Sequence, residues 1–121
     1  PSLMRAEKSQ KRAARTGFDW PDAAGPRFKV AEELAELDAA GDDAARADEL
    51  GDLLFAVVNL ARHLNIDPED ALRKANMKFE ARFRAIESAP GFADMDLDAK
   101  DDLWRAAKQA GGAAGPAGRD R

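Results

Sequence analysis

Apolar and charged positions separate with helical period along most of this chain. Over residues 27–40, Val30, Ala31, Leu34 and Leu37 share one arc at about 100° per residue, while Lys29, Glu32, Glu33 and Glu36 share the opposite one. Glu33 borders Leu37 and is expected to look inward, and Glu32 outward. Gly41-Asp42-Asp43 breaks the pattern, with either aspartate able to cap the next helix. That helix, residues 44–64, is apolar nearly all round from Leu53 to Val58, which predicts burial on most sides. Glu49, Asp52 and Asn59 fall on one stripe of it. His63 continues the stripe but sits about 16 Å from Asp52 along the axis, too far to share a ligand site, and reads as a packed or capping residue.

Asp67-Pro68 restarts the chain as an N-cap followed by proline at the first helical position. The helix it opens, to about residue 88, has Leu72, Ala75, Phe79, Phe83 and Ile86 as its expected buried stripe. Lys74, Lys78 and Arg82, four apart, make a cationic stripe beside it, with Asn76 nearby. After Pro90-Gly91 a short helix over 97–110 presents Leu103, Trp104 and Ala107 as a packing edge, with Lys108 one turn beyond Trp104. Residues 1–15 form a basic helix ended by Gly17. The connector Phe18-Asp19-Trp20-Pro21 follows, and Gly25 and Pro26 are expected to keep it out of helix. Phe18 and Trp20 are expected to pack on the bundle, with a stacking role for Trp20 left open. The whole predicts an all-α antiparallel helical bundle of four to five helices, with no strand-like alternation.

Composition narrows the function classes. A chain of 121 residues is one domain, assigned here to residues 1–110, with a Gly/Ala/Pro-rich tail at 111–121 expected to be disordered. The start on Pro1 without an initiator methionine suggests a domain of a longer protein. The absence of cysteine excludes disulfides and thiolate chemistry. No apolar run approaches the roughly 20 residues that span a bilayer, so a cytoplasmic protein without membrane partners is expected. Charged residues reach 35% although the net charge is only −4. The signs are segregated: Glu32 to Asp52 holds nine acids against one base, Arg73 to Arg84 five bases against one acid.

Glu33/Glu36 and Glu49/Asp52 are each spaced i,i+3, so each pair lies on one helical face. Packed antiparallel, the two helices would bring four carboxylates together, and their repulsion calls for a divalent cation with oxygen ligands. Di-iron bundles need Glu-x-x-His pairs, which neither pair supplies, so Mg²⁺, or Mn²⁺ in its place, fits better than iron or zinc. The cationic stripe reads either as a solvated face or as a phosphate clamp. Together with the acids it points to phosphate esters and anhydrides. Nucleic acid is not an expected partner of so acidic a chain.

Glu32-Glu33-x-x-Glu36 followed by Glu49-x-x-Asp52, with the stretches KVAEELAEL, ELGDLLFAVVNLARHL and ALRKANMKFEARF, resembles the MazG branch of the all-α nucleoside triphosphate pyrophosphohydrolases. The opening LMRAEKSQKRAARTGFDW resembles the segment leading into the second of two tandem domains in that family. The resemblance implies hydrolysis of nucleoside triphosphates to monophosphate and pyrophosphate at the α-phosphorus, as nucleotide-pool house-cleaning. It implies Glu33, Glu36, Glu49 and Asp52 as catalytic metal ligands, with Glu32 behind them. Lys29, Asn59, Lys74, Asn76, Lys78 and Arg82 would meet sugar or phosphates, and Trp104 with Lys108 would close the site. It also implies a homodimer or higher homo-oligomer. The alternative is a catalytically weak regulatory or partner-binding module. Base preference and metal count stay open.

Overall fold

The computed structural model describes residues 1–111, and every regular element in it is helical. In chain order these are α1 (Ser2–Arg15), α2 (Ala24–Ala39), α3 (Asp43–His63), α4 (Pro68–Glu87), a single 3₁₀ turn at Phe92–Asp94, and α5 (Leu97–Ala110). The all-α class is as predicted, and no strand occurs among the described residues. Nor is any described helix long and apolar enough to cross a membrane. The expected tail lies, from residue 112, outside the described residues.

Local chemistry sets the helix ends. Asp42 caps α3 by accepting from the Ala45 amide at 2.8 Å, and Asp96 caps α5 through Ala99 at 2.9 Å. Asp67 accepts from the Glu69 amide at 3.0 Å ahead of Pro68. Helices α1 and α3 stop in the same way. Gly17 (φ 86°) and Asn65 (φ 58°) adopt left-handed backbone just past each end. The following amides, of Phe18 and Ile66, donate back to the carbonyls of Ala13 and Ala61. One boundary differs from expectation: α2 begins at Ala24, with Gly25 and Pro26 inside its first turn. A first-turn proline costs nothing there, because its missing N–H would have had no helical acceptor.

The chain divides into two compact units, residues 1–72 and Arg73 onward. In the first, α3 packs against both α2 and α1. Val58, Ala56 and Pro26 are buried, and α1 is pinned to α3 by Gln10, whose Nε2 donates to the Phe55 carbonyl at 3.0 Å. The expectation that α3 is buried on most sides is corrected here. Leu50, Leu54 and Val57 are 47, 53 and 44% exposed, because α1 and α2 cover only part of a helix that is apolar all round. In the second unit Trp104 is buried against Phe79, with ring centroids 5.1 Å apart, while Phe79 and Phe83 stack at 6.0 Å. Phe83 meets Phe92 edge-on, and Lys100 lies over the Phe92 ring. Of the stripe expected to be buried on α4, only Ile86 is; Leu72 and Phe79 stay about half exposed and Phe83 more than a third.

The connector between α1 and α2 is tied to the far end of α3. Asp19 receives Arg62 through both carboxylate oxygens, Nη2 at 2.6 Å and Nη1 at 3.0 Å, and His63 Nε2 lies 2.9 Å from the first. Trp20 lies flat over Gly25, where a Cβ would stand 2.4 Å from two of its ring carbons. Phe18, expected to pack on the bundle, is instead 81% exposed.

Two outcomes follow for stability. Gly25→Ala should lower the unfolding free energy by about 1–2 kcal/mol, the strain of an overfilled contact less the gain in helix propensity. An unchanged urea midpoint would mean that Trp20 is not fixed on α2. The Arg62 hydrogen bonds, aided by His63 and opposed by desolvation, hold the Asp19 carboxyl well below the usual carboxylate range. Folding is therefore helped by this group above its unfolded value near 3.8, and the help is lost as pH falls through the lower folded value. The stability gap between the wild-type chain and Asp19→Asn should thus close as pH drops from 5 toward 2. A gap that is constant with pH would contradict the ion pair.

Candidate functional site

Three residues separate α2 from α3, so the chain turns back at once and sets the two acidic faces against each other. One carboxylate oxygen from each of Glu33, Glu49 and Asp52 lies within 4.8 Å of the other two, and Glu32, Glu33 and Glu36 form a second such group. Glu33 belongs to both. Its side chain is buried while Glu32 is about one-third exposed, in agreement with the arc placement.

Charge balance within the cluster is incomplete. Lys29 bridges Glu32 at 3.0 Å and Glu33 at 3.2 Å, and these bonds raise its pKa, Glu32 contributing most. Glu49 receives no such cation. Its pKa is raised, first by desolvation and then by the charge and proximity of Glu36, with Glu33 and Asp52 adding to it. Glu33 Oε2 and Glu49 Oε2 are both buried without a hydrogen-bond partner. A buried carboxylate oxygen with no donor is costly, and two in one cluster mark the place where a cation belongs. The donors are all carboxylate oxygens, a set suited to a hard divalent ion such as Mg²⁺ or Mn²⁺. The residues present therefore fit a metal, with Glu33, Glu49 and Asp52 to hold it and Glu36 beside them.

Next to the cluster opens a cavity of about 680 Å³ whose walls come entirely from the first unit. Glu33, Asp52 and Lys29 line it, as do Phe18 and Trp20 from the connector. Asn59 and Arg62 of α3 and Gln10 of α1 also face it. Asn59 Oδ1 accepts from Arg62 Nε at 3.2 Å and Nη2 at 2.8 Å. Gln10 is 6% exposed, and with its Nε2 given to α3 its Oε1 has no partner. The cavity lining thus combines carboxylates able to hold a cation with aromatic surface.

The sequence-derived candidates divide between the units. Glu33, Glu36, Glu49, Asp52, Lys29 and Asn59 all lie in the first, around the cluster and cavity. Lys74, Asn76, Lys78 and Arg82 are on the part of α4 assigned to the second unit, and Trp104 and Lys108 are on α5. Sequence reasoning did not single out Gln10, Asp19 or Arg62 as site residues. For Gln10 a signal existed: it is the polar member of an α1 face otherwise made by Leu3, Ala6, Ala13 and Ala14. Asp19 and Arg62 are 43 residues apart, and nothing local pairs them.

Comparison with known proteins places this geometry. Residues 30–86, which contain all four acids, most of α2 and the whole of α3, match the MazG nucleotide pyrophosphohydrolase domain. An Escherichia coli K12 protein named nucleoside triphosphate pyrophosphohydrolase is 46% identical over 119 residues, covering 90% of this chain and 45% of its own length. The Thermotoga maritima nucleoside triphosphate pyrophosphohydrolase/pyrophosphatase MazG is 43% identical over 113 residues, covering 89% and 44%. Bacillus subtilis YabN, described as uncharacterized, is 47% identical over 66 residues, half of this chain and 14% of its own. The chain spans about half the length of the first two relatives, and its 30–86 segment is similar to the MazG nucleotide pyrophosphohydrolase domain.

Proposed function

We propose that the chain hydrolyses nucleoside triphosphates to the monophosphate and pyrophosphate in a Mg²⁺-dependent reaction, with Mn²⁺ as a possible substitute metal. The observation that carries this reading is the pair of orphaned carboxylate oxygens, on Glu33 and Glu49, inside an acidic cluster that opens on a cavity with aromatic walls. The names of the E. coli and T. maritima relatives support the same reaction.

Glu33, Glu36, Glu49 and Asp52 would hold the metal, which supplies neutralisation of phosphate charge and a bound water of lowered pKa. The chain's own contribution is to fix the reacting groups. The hairpin holds the carboxylates in the cavity lining, so that a triphosphate bound there extends its nucleoside toward Phe18 and Trp20. Water attacks the α-phosphorus, the bond to the bridging oxygen breaks, pyrophosphate leaves, and the water's proton passes to a carboxylate of the cluster. Glu32 acts through Lys29, keeping the ammonium beside Glu33 where it partly offsets the acids. Lys74, Asn76, Lys78 and Arg82 on α4 and Trp104 and Lys108 on α5 are proposed as substrate contacts on the family resemblance, the cations to meet developing phosphate charge. Nucleotide-pool house-cleaning is the role such a reaction serves, and the cytoplasm its natural place.

A homo-oligomer fits the same reading. Leu50, Leu54 and Val57 form an exposed apolar stripe on α3, on the side away from Asp52 and Asn59, and a second copy would cover it. Substituting Leu54→Glu should convert the assembly to monomer in sedimentation analysis. An unchanged mass would rule that face out as the contact.

Pyrophosphate release from a panel of triphosphates, with Mg²⁺ and with chelator, tests the reaction. Release should require the metal, and Glu36→Gln or Asp52→Asn should reduce it by about 100-fold or more, the scale of a lost transition-state contact. Neither substitution should lower the melting temperature, since each relieves repulsion. Activity retained in both variants would remove the proposed site. Lys78→Ala should raise KM for triphosphate about tenfold while leaving nucleoside binding unchanged. Equal loss of both would make the lysine structural.

A further inference from the structure

Asp19, Arg62 and Asn59, all lining the cavity, share a set of bonds that the pyrophosphohydrolase reading does not use. Asp19 sits in the middle of the connector, flanked by Phe18 and Trp20, which both line the cavity. Its carboxylate engages Arg62 through both oxygens and also accepts the Trp20 amide at 2.8 Å. Arg62, with a side chain only 14% exposed, also donates to Asn59 Oδ1 through Nε and Nη2. The carbonyl end of the Asn59 amide is thereby occupied, and its nitrogen is the polar group left to face a ligand.

We propose that Asp19, through Arg62, is a positioning residue for the cavity: it fixes the aromatic wall and turns Asn59 into a hydrogen-bond donor toward the bound nucleoside. Two features argue that the arrangement is made for this rather than for holding α1 alone. First, α1 already has its own tie to α3, the bond from Gln10 to the Phe55 carbonyl, and a left-handed glycine that ends it. Second, the planar guanidinium bonds Asp19 and Asn59 together, so the connector and the amide are oriented as one unit, which a lysine cannot do. A donor-only amide selects an acceptor on the ligand, a carbonyl oxygen or ring nitrogen of a base or a sugar oxygen, and leaves a base presenting only donors unpaired. The identity of the ligand as a nucleotide rests on the function proposed above. The clamp itself stands on the bonds.

The test separates the two parts of the ligand by binding, without turnover. Equilibrium dialysis of the full chain with Mg²⁺ would use the four common nucleoside monophosphates as one probe set and inorganic pyrophosphate as the other. Asp19→Asn should weaken the best-bound monophosphate by a factor of about ten or more and leave pyrophosphate within about twofold. Arg62→Lys, which keeps the charge but loses the fork, should show a smaller loss confined to the monophosphate, and it carries the test if Asp19→Asn does not fold. Equal weakening of both probes would make the clamp a purely structural tie and overturn the proposal. So would unchanged monophosphate binding, or a wild-type chain that binds pyrophosphate but no monophosphate. Failure of the functional reading shows elsewhere, as absence of pyrophosphate release from every triphosphate by the wild-type chain.

Discussion

Repulsion among Glu33, Glu36, Glu49 and Asp52 is what the α2–α3 hairpin has to overcome, and the rest of the first unit is arranged around it. The two helices can only pack if their acidic faces meet, because the turn between them is three residues long and capped by Asp42. Burial of Val58, Ala56 and Pro26 supplies attraction, and Lys29 offsets part of the charge. What remains uncompensated is specific: two buried oxygens without donors and a Glu49 carboxyl whose protonation is favoured. A divalent cation held there would offset that repulsion and stabilise the hairpin.

The same packing makes the cavity. Helix α1 packs on α3, and the cavity is lined by α1, by the carboxylates of the hairpin and by the connector after α1, whose Asp19 reaches Arg62. A left-handed Gly17 directs that return, and Gly25 lets Trp20 lie against the first turn of α2. Carboxylates and aromatic side chains in one lining are compatible with the nucleotide ligand proposed above.

Much of this was legible in the sequence, for a physical reason. Helical period and i,i+3 spacing are local, so the five helices and the two acidic pairs could be read from short windows, and the Gly/Asp break set the pairs face to face. Pro26 misled because proline is excluded from helix interiors but not from first turns. The burial of α3 was overestimated because an all-apolar run does not say which neighbours cover it, and α1 and α2 leave Leu50 and Leu54 about half exposed. The cavity was illegible in principle. Asp19 with Arg62, and Gln10 with Phe55, are partners more than 40 residues apart, and no local pattern joins them. The cationic stripe of α4 came from its four-residue spacing, and family resemblance added a site role for Trp104 and Lys108 of α5; the geometry of the first unit does not by itself require either.

The central claim is that these carboxylates serve attack on the α-phosphorus. It is tested most directly by hydrolysis of a nucleoside triphosphate in heavy-oxygen water with Mg²⁺, followed by mass analysis of both products. The account predicts one heavy oxygen in the monophosphate and none in the pyrophosphate. Label in pyrophosphate, or in released orthophosphate, would place the attack at another phosphorus and contradict it.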